Sequence, residues 1–150
     1  MTSLEKEIVQ PKFQSENQKA VINIMYTNNY IIAKMNDFFK AYAITRQQYN
    51  VLRILRGQYP KPATINLLKE RMLDKMSDAS RIVKRLRVKQ LINRNISVND
   101  RRAAEITISE QGLALLEKMD EISFKLNELT KNLSNSELAD LNRLLDKLRE

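Results

Sequence analysis

Residues 77–109 constrain the fold more than any other stretch, because a basic amphipathic helix there runs directly into a two-stranded ribbon. The helical part is SDASRIVKRLRVKQ, residues 77–90. Its apolar residues recur at three- and four-residue steps and therefore share one face, namely Ala79, Ile82, Val83 and Leu86. The opposite face carries Ser77, Ser80, Arg81 and Lys84, with Arg85 at its edge. Such a face suits the DNA major groove, since Arg, Lys and Ser bond phosphates and base edges.

Two short segments with apolar residues at alternate positions follow, LINRNISV and AAEITIS. This period of two predicts two β-strands. Between the strands lies Asn99-Asp100-Arg101-Arg102, and Asn and Asp favour turns because they tolerate left-handed conformations. We therefore expect a hairpin that carries two arginines at its tip. A groove-reading helix followed by such a hairpin predicts a winged helix-turn-helix.

The positive charge of the chain is concentrated around this helix and hairpin. The whole chain has 26 Lys+Arg and 18 Asp+Glu, a net charge of +8. Residues 46–102 hold 15 Lys+Arg and 4 Asp+Glu, which is +11, so the remainder is −3. A basic surface that serves only solubility predicts dispersed charge. The split instead favours a segment that binds a polyanion.

The rest of the chain predicts helices, in keeping with only two glycines and three prolines. Ser15 is expected to cap a long helix that runs to about Tyr42, after a lead-in interrupted by Pro11. Thr45 caps a helix that ends near Gly57, and residues 59–62 form a rigid connector. Further along the chain, Thr64 caps a short helix, and Leu73–Met76 form the turn into the basic helix. After the hairpin, Ser109 caps a helix with an apolar stripe from Leu115 to Leu129. Ser134 and Glu137 form a capping box at the start of the last helix.

These elements predict one continuous, mainly α protomer with a small β-hairpin wing, in three parts. Residues 1–44 form an N-terminal dimerisation region, residues 45–109 the winged helix-turn-helix, and residues 110–150 the C-terminal dimerisation helices. The end helices have narrow apolar stripes that a small domain cannot bury alone. Pairing with a second copy is favoured over a monomeric bundle, because two half-sites also raise specific affinity for DNA.

The composition argues against enzymatic chemistry and against a membrane anchor. The chain has no His and no Cys, which removes the commonest general base, nucleophile pairs and metal ligands, so neither a catalytic site, a cofactor nor a metal is expected. It has no run of about 18 apolar residues and no hydrophobic leader. A cytoplasmic location is expected.

Over about residues 15–150 the chain resembles the MarR family of transcriptional regulators. The order of helices matches, and the family's Asp-x-Arg, apolar strand and Leu-Thr-x-x-Gly appear here in DRRAAEITISEQG, residues 100–112. The resemblance implies a homodimer that binds a pseudo-palindromic operator in double-stranded DNA. One departure is Gln90, which stands where the family usually has the glycine that ends the recognition helix. A second is Lys84, where the family often has an acidic residue.

The resemblance also implies roles for individual residues. The DNA contacts fall on the basic helix and the wing, at Ser77, Asp78, Ser80, Arg81, Lys84, Arg85, Arg101 and Arg102. Asp100 braces the wing arginines by an ion pair. A small aromatic or anionic effector is expected to bind near Tyr26, Tyr30, Phe38, Tyr42, Tyr49 and Arg53, although ordinary packing also explains these residues.

Two functions from different classes remain open on the sequence. The first is a homodimeric, sequence-specific DNA-binding regulator, expected to be a repressor that a small ligand relieves. The alternative is a winged-helix module that binds nucleic acid without sequence preference or binds another protein. The ratio of specific to non-specific DNA affinity distinguishes them, since a regulator exceeds its non-specific affinity by about a thousandfold or more.

Overall fold

The structure, a computed structural model, describes residues 3–96 and 104–150. Its contacts divide the chain into two compact units, Met1–Arg46 and Gln47–Glu150. The helices and strands in chain order are α1 (Leu4–Glu7), α2 (Glu16–Ala41), α3 (Arg46–Gln58), α4 (Ile65–Arg71), α5 (Ala79–Val88), β1 (Ile92–Ile96), β2 (Ala104–Ile108), α6 (Glu110–Lys118), α7 (Ile122–Thr130) and α8 (Asn135–Leu148). The chain is mainly helical with one antiparallel hairpin, as the sequence predicts.

The first unit consists of α1 and the long helix α2. The Ser15 side chain caps α2 by accepting a hydrogen bond from the backbone N–H of Gln18, which confirms the predicted start. Two contacts join α1 to α2: Lys19 lies 2.7 Å from the Glu5 carboxylate, and the Tyr26 hydroxyl donates to Glu7 at 2.9 Å. The ion pair lowers the pKa of Glu5 to about 2, mainly because Lys19 donates a hydrogen bond to the ionised form.

Much of the apolar surface of α2 is exposed within this chain. Its exposed large apolar residues are Val21, Ile24, Met25, Tyr26, Tyr30 and Ile31. Of these, Met25 retains 62% of its accessible surface. The apolar stripe predicted for this helix therefore forms, but the other described residues of the chain leave most of it exposed.

In the second unit the helix-turn-helix surrounds one apolar core. Its fully buried side chains are Val51, Leu52, Leu55, Leu68, Met72, Val83, Leu86, Ile106, Leu116 and Met119. Burying one such side chain stabilises the fold by about 1.5–3 kcal/mol. The set includes residues from α3, α4, α5, β2 and α6, so the same core fixes the basic helix and the base of the hairpin.

The two strands pair in the register that places Ile92 opposite Ile108 and Arg94 opposite Ile106. The loop residue Ala63 pairs with Ile106 as well, through backbone hydrogen bonds of 2.8 and 2.9 Å in the two directions. The connector before it predicts a rigid loop, but no sequence pattern predicts this third, one-residue strand contact. The bridge ties the α3–α4 loop to β2.

Two predictions about helix ends need correction. Helix α3 ends at Gln58, near the predicted place, but no glycine among the described residues has a positive φ, so Gly57 is not a left-handed cap. The stripe from Leu115 to Leu129 belongs to two helices, because the chain turns at Met119–Glu121. A stripe with steps of three and four continues across such a short turn, so periodicity alone does not reveal the break.

An ion pair connects this turn to α3. Arg56 of α3 donates two hydrogen bonds to the Asp120 carboxylate, at 2.9 and 3.3 Å. The guanidinium lowers the pKa of Asp120, since it stabilises the ionised carboxylate. The contact fastens the end of α6 to α3 and so to the core of the helix-turn-helix.

The last helix, α8, begins at the predicted capping box. Ser134 accepts from the backbone N–H of Glu137, and the Glu137 side chain accepts from the backbone N–H of Ser134. None of the α8 residues is buried, and Leu141, Leu144 and Leu148 are exposed. Across residues 3–96 and 104–150, no helix has the length and apolar character that crossing a membrane requires.

Candidate DNA-binding surface

Helix α5 separates a buried apolar face from an exposed basic one. Ala79, Val83 and Leu86 are all 0% exposed and Ile82 is half-buried, which confirms the face predicted from their spacing. The exposed side carries Ser80, Arg81, Lys84 and Arg85. No ion pair between described residues engages these basic side chains. These charged side chains therefore face solvent, while the buried face of α5 fixes the orientation of the helix on the core.

The two predicted contact residues before α5 have structural partners of their own. Asp78 is the N-cap of α5, and its carboxylate accepts from the backbone N–H of Arg81 at 3.0 Å. Ser77 is half-buried, and its hydroxyl donates to the Asp74 carboxylate at 2.8 Å. Both residues thus shape the start of the basic helix, whatever further contacts they make.

Asp74 and Asn50 organise the turn between α4 and α5. Asp74 accepts from the backbone N–H of Met76 at 3.1 Å, in addition to the Ser77 hydroxyl. The Asn50 side chain, on α3, accepts from the backbone N–H of Leu73 at 2.9 Å. The sequence predicts the turn that contains Asp74, and an Asp that bonds the backbone N–H two residues later is a known turn signal, whereas no sequence pattern indicates the role of Asn50. The turn is held to α3 at one end and to α5 at the other.

Hydrogen bonds also hold the C-terminal end of α5. Gln90 has φ 59°, the left-handed conformation that a glycine adopts without strain. The Ser109 hydroxyl donates to the Gln90 carbonyl at 2.7 Å and accepts from the backbone N–H of Gly112 at 3.0 Å. Lys89 donates to the side-chain oxygen of Gln48, a buried residue of α3, at 3.1 Å. Gln48 carried no recognisable signal in the sequence.

Substitution of Gln90 by glycine is expected to stabilise the protein by up to about 1 kcal/mol, because it relieves the Cβ strain of the left-handed conformation. The Ser109 bond goes to the Gln90 backbone and survives the change. The expected rise in melting temperature is about 2–4 °C. Gln90→Ala is the matched control, since alanine keeps the Cβ and should bring no gain. Equal melting temperatures for the two variants would contradict the strain.

The hairpin that follows α5 carries the predicted wing. Strand β1 begins four residues after the end of α5, and its Arg94 is exposed. Asp100, Arg101 and Arg102, the predicted wing residues, lie outside the described residues. The structure therefore gives the base of the hairpin and its register, while the roles of these three residues stay predictions.

The predicted effector residues fall into two groups, one in each unit. In the first unit, the rings of Phe38 and Tyr42 pack 5.2 Å apart between centroids. In the second unit, Arg53 donates to the Tyr49 hydroxyl at 3.0 Å. The remaining two effector residues line a cavity of about 260 Å³ in the first unit, whose full lining is Leu4, Glu7, Asn23, Tyr26, Thr27 and Tyr30.

Comparison with known proteins identifies the family. A model of the MarR family matches residues 44–104. The HTH-type transcriptional regulator SarZ of Staphylococcus aureus is 30% identical over 112 residues, which is 74% of this chain and 73% of SarZ.

Solved structures of similar proteins share the fold over nearly the whole chain. A mutant MarR from E. coli, solved in complex with operator DNA, has a TM-score of 0.76 and 26% identity and covers 98% of this chain and 99% of that chain. BpsR from Bordetella bronchiseptica has a TM-score of 0.74 over 88% of this chain and 99% of that chain; its identity of 19% shows the fold alone. The chain has the winged-helix fold and belongs to the MarR family of transcriptional regulators.

Proposed function

We propose that this protein is a homodimeric, sequence-specific DNA-binding regulator that acts as a repressor and has no catalytic role. One observation carries the proposal: α5 is fixed at both ends, buries most of its apolar face and presents Arg81, Lys84 and Arg85 to solvent. A rigid helix with this exposed chemistry suits the major groove, where Arg and Lys donate to guanine edges and phosphates. MarR from E. coli binds operator DNA with the same fold, which supports the assignment.

The wing supplies the second part of the proposed contact. The buried pair Ile92 and Ile108 lies at one end of the hairpin, and the pair Ile96 and Ala104 lies at the other. The segment between β1 and β2 connects this second pair. Arg101 and Arg102 lie in that segment and would enter the minor groove beside the helix, with Asp100 bracing them. Narrow minor grooves attract arginine through their negative potential.

The proposed dimer explains the exposed apolar surface of the end helices. Helix α8 buries none of its residues, although its leucines recur at three- and four-residue steps. Several apolar residues of α2, such as Val21, Met25 and Ile31, are also exposed. A second copy offers a matching apolar surface to both helices, and two DNA-binding units then contact two half-sites.

Replacing Leu141 by glutamate is expected to give a folded monomer, because Leu141 is exposed within one chain but central to the α8 stripe. Affinity for a two-site operator should fall by about a hundredfold or more, since each unit then binds alone. Sedimentation velocity and DNA titration measure the two effects. Ala139→Glu is the control, since it adds the same charge at an exposed position on the opposite side of α8. A dimeric Leu141→Glu variant would contradict the assigned interface.

We also propose that a small ligand relieves repression. The paired Tyr49 hydroxyl and Arg53 guanidinium suit an aromatic anion, since one group supplies a hydrogen bond and the other a positive charge. The cavity beside Tyr26 and Tyr30 also contains the Glu7 carboxylate, so it suits an anion less well. BpsR, which shares the fold, has its DNA binding regulated by 6-hydroxynicotinic acid.

Salt dependence and sequence preference together test the proposed function. A dimer that contacts about six to ten phosphates should lose affinity by about a thousandfold or more between about 50 and about 200 mM salt. Lys84→Ala should make the slope of log affinity against log salt shallower by about one. The full operator should bind about a thousandfold tighter than random DNA. Steep salt dependence without sequence preference would instead favour the non-specific nucleic-acid module.

A further inference from the structure

The turn before α5 exposes two large apolar side chains. Met76 retains 95% of its accessible surface and Leu73 retains 87%, more than almost all other large apolar residues of the described chain. Methionine and leucine are ordinarily among the most buried residue types. Both lie in the turn at the centre of the most basic segment, where they are available to a partner that is itself partly apolar.

Met76 is exposed on a rigid backbone. Its N–H donates to the Asp74 carboxylate, which also accepts the Ser77 hydroxyl, and Asp78 then caps α5. The backbone at Met76 is therefore fixed two residues before the N-cap. In helix-turn-helix proteins the N-terminal residues of the recognition helix are the ones that contact base edges. A side chain held at this place loses little backbone freedom on binding.

The base edges of the major groove offer one apolar group, the 5-methyl of thymine. We propose that Met76 is a specificity-determining residue that packs against a thymine methyl in each half-site of the operator. The proposal rests on the proposed function, because it requires α5 to enter the major groove. The flexible thioether chain of methionine can adapt to the position of the methyl without a polar group competing for it.

Leu73 is the natural comparison within the same turn. It is nearly as exposed as Met76, but it lies three residues farther from α5 and its N–H is bonded to Asn50 of α3. A contact that depends on proximity to the start of α5 therefore involves Met76 and not Leu73. Since both side chains are exposed, replacing either should leave the fold intact.

Methyl deletion in the DNA tests the contact directly. Each thymine of a bound operator is replaced in turn by deoxyuridine, which lacks only the methyl, and the dissociation constant is measured by fluorescence anisotropy. We expect wild-type protein to lose affinity about fourfold at one thymine per half-site, as burial of one methyl predicts. Met76→Ala should bind the thymine operator and the deoxyuridine operator with equal affinity at that position. Leu73→Ala should keep the fourfold difference between them, and Met76→Leu, which remains apolar, should keep most of it.

Two results would overturn the inference. One is a wild-type protein that is insensitive to every thymine methyl, and the other is a Met76→Ala variant that retains the wild-type ratio. Either can occur while the protein still prefers its operator over random DNA, in which case the proposed function survives. Loss of that preference in the wild-type protein would remove both the function and the contact.

Discussion

Substitution of Gly112 by alanine is expected to lower the free energy of unfolding by about 3 kcal/mol or more. A Cβ at this position would overlap the backbone oxygen of Leu91 and would lie 2.7 Å from Cγ1 of Ile108. The oxygen belongs to the backbone segment between α5 and β1, which cannot move without disturbing the end of the basic helix. Since whole domains are stable by only about 5–15 kcal/mol, the loss is a large share of the total.

Urea denaturation followed by circular dichroism measures this effect, and the second glycine provides the control. Gly57 lies inside α3, and a Cβ added there would meet no atom within 4 Å. Gly57→Ala should therefore stabilise the protein by about 0.5–1 kcal/mol, because alanine favours the helix. If both variants have the same midpoint of urea unfolding as the wild-type protein, Gly112 of α6 does not pack tightly against Leu91.

Substitution of Arg81 by alanine is expected to weaken binding to the operator by about tenfold to a hundredfold, with a much smaller effect on random DNA. Arg81 is exposed near the start of α5, and its backbone N–H is already fixed by the Asp78 cap. Loss of a side chain that bonds a base edge removes discrimination between base pairs. Loss of a phosphate contact weakens binding to all sequences alike.

Arg87 provides the matched control for Arg81. It lies on the same helix and is also exposed, but it is about 120° from Arg81 around the helix axis and six residues farther from the N-terminal end, where recognition helices contact base edges. Arg87→Ala should therefore lower affinity for operator and random DNA by similar factors. Both affinities can be measured by anisotropy at one salt concentration. A larger loss of preference in Arg87→Ala than in Arg81→Ala would contradict the assigned groove-facing side.

The sequence predicted the parts of the fold that depend on local chemistry. The caps at Ser15, Thr64, Ser109 and Ser134 follow from the sequence, because a side-chain oxygen before an apolar stripe satisfies free backbone N–H groups. The buried face of α5 followed from helical periodicity. The strands followed from alternation, which for Ile106 and Ile108 coincides with burial.

Features that depend on contacts between distant residues were not predictable in the same way. The Ala63 bridge to β2 joins residues more than forty positions apart and involves only backbone atoms. The turn at Met119–Glu121 is bonded through Asp120 to Arg56, a residue of another helix. The bonds of Gln48 to the end of α5 and of Asn50 to the turn before α5 likewise leave no local pattern, because each side chain bonds an element far along the chain.

Selection of bound sequences from a random DNA pool, with purified full-length protein at physiological salt, tests the central claim most directly. A dimer with two groove-reading helices should enrich an inverted repeat whose half-sites lie about one helical turn, or roughly 34–36 Å, apart. The enriched sequence also supplies the operator for the Arg81 and Met76 experiments. Binding without an enriched repeat, or no binding at all, would contradict a dimeric, sequence-specific regulator.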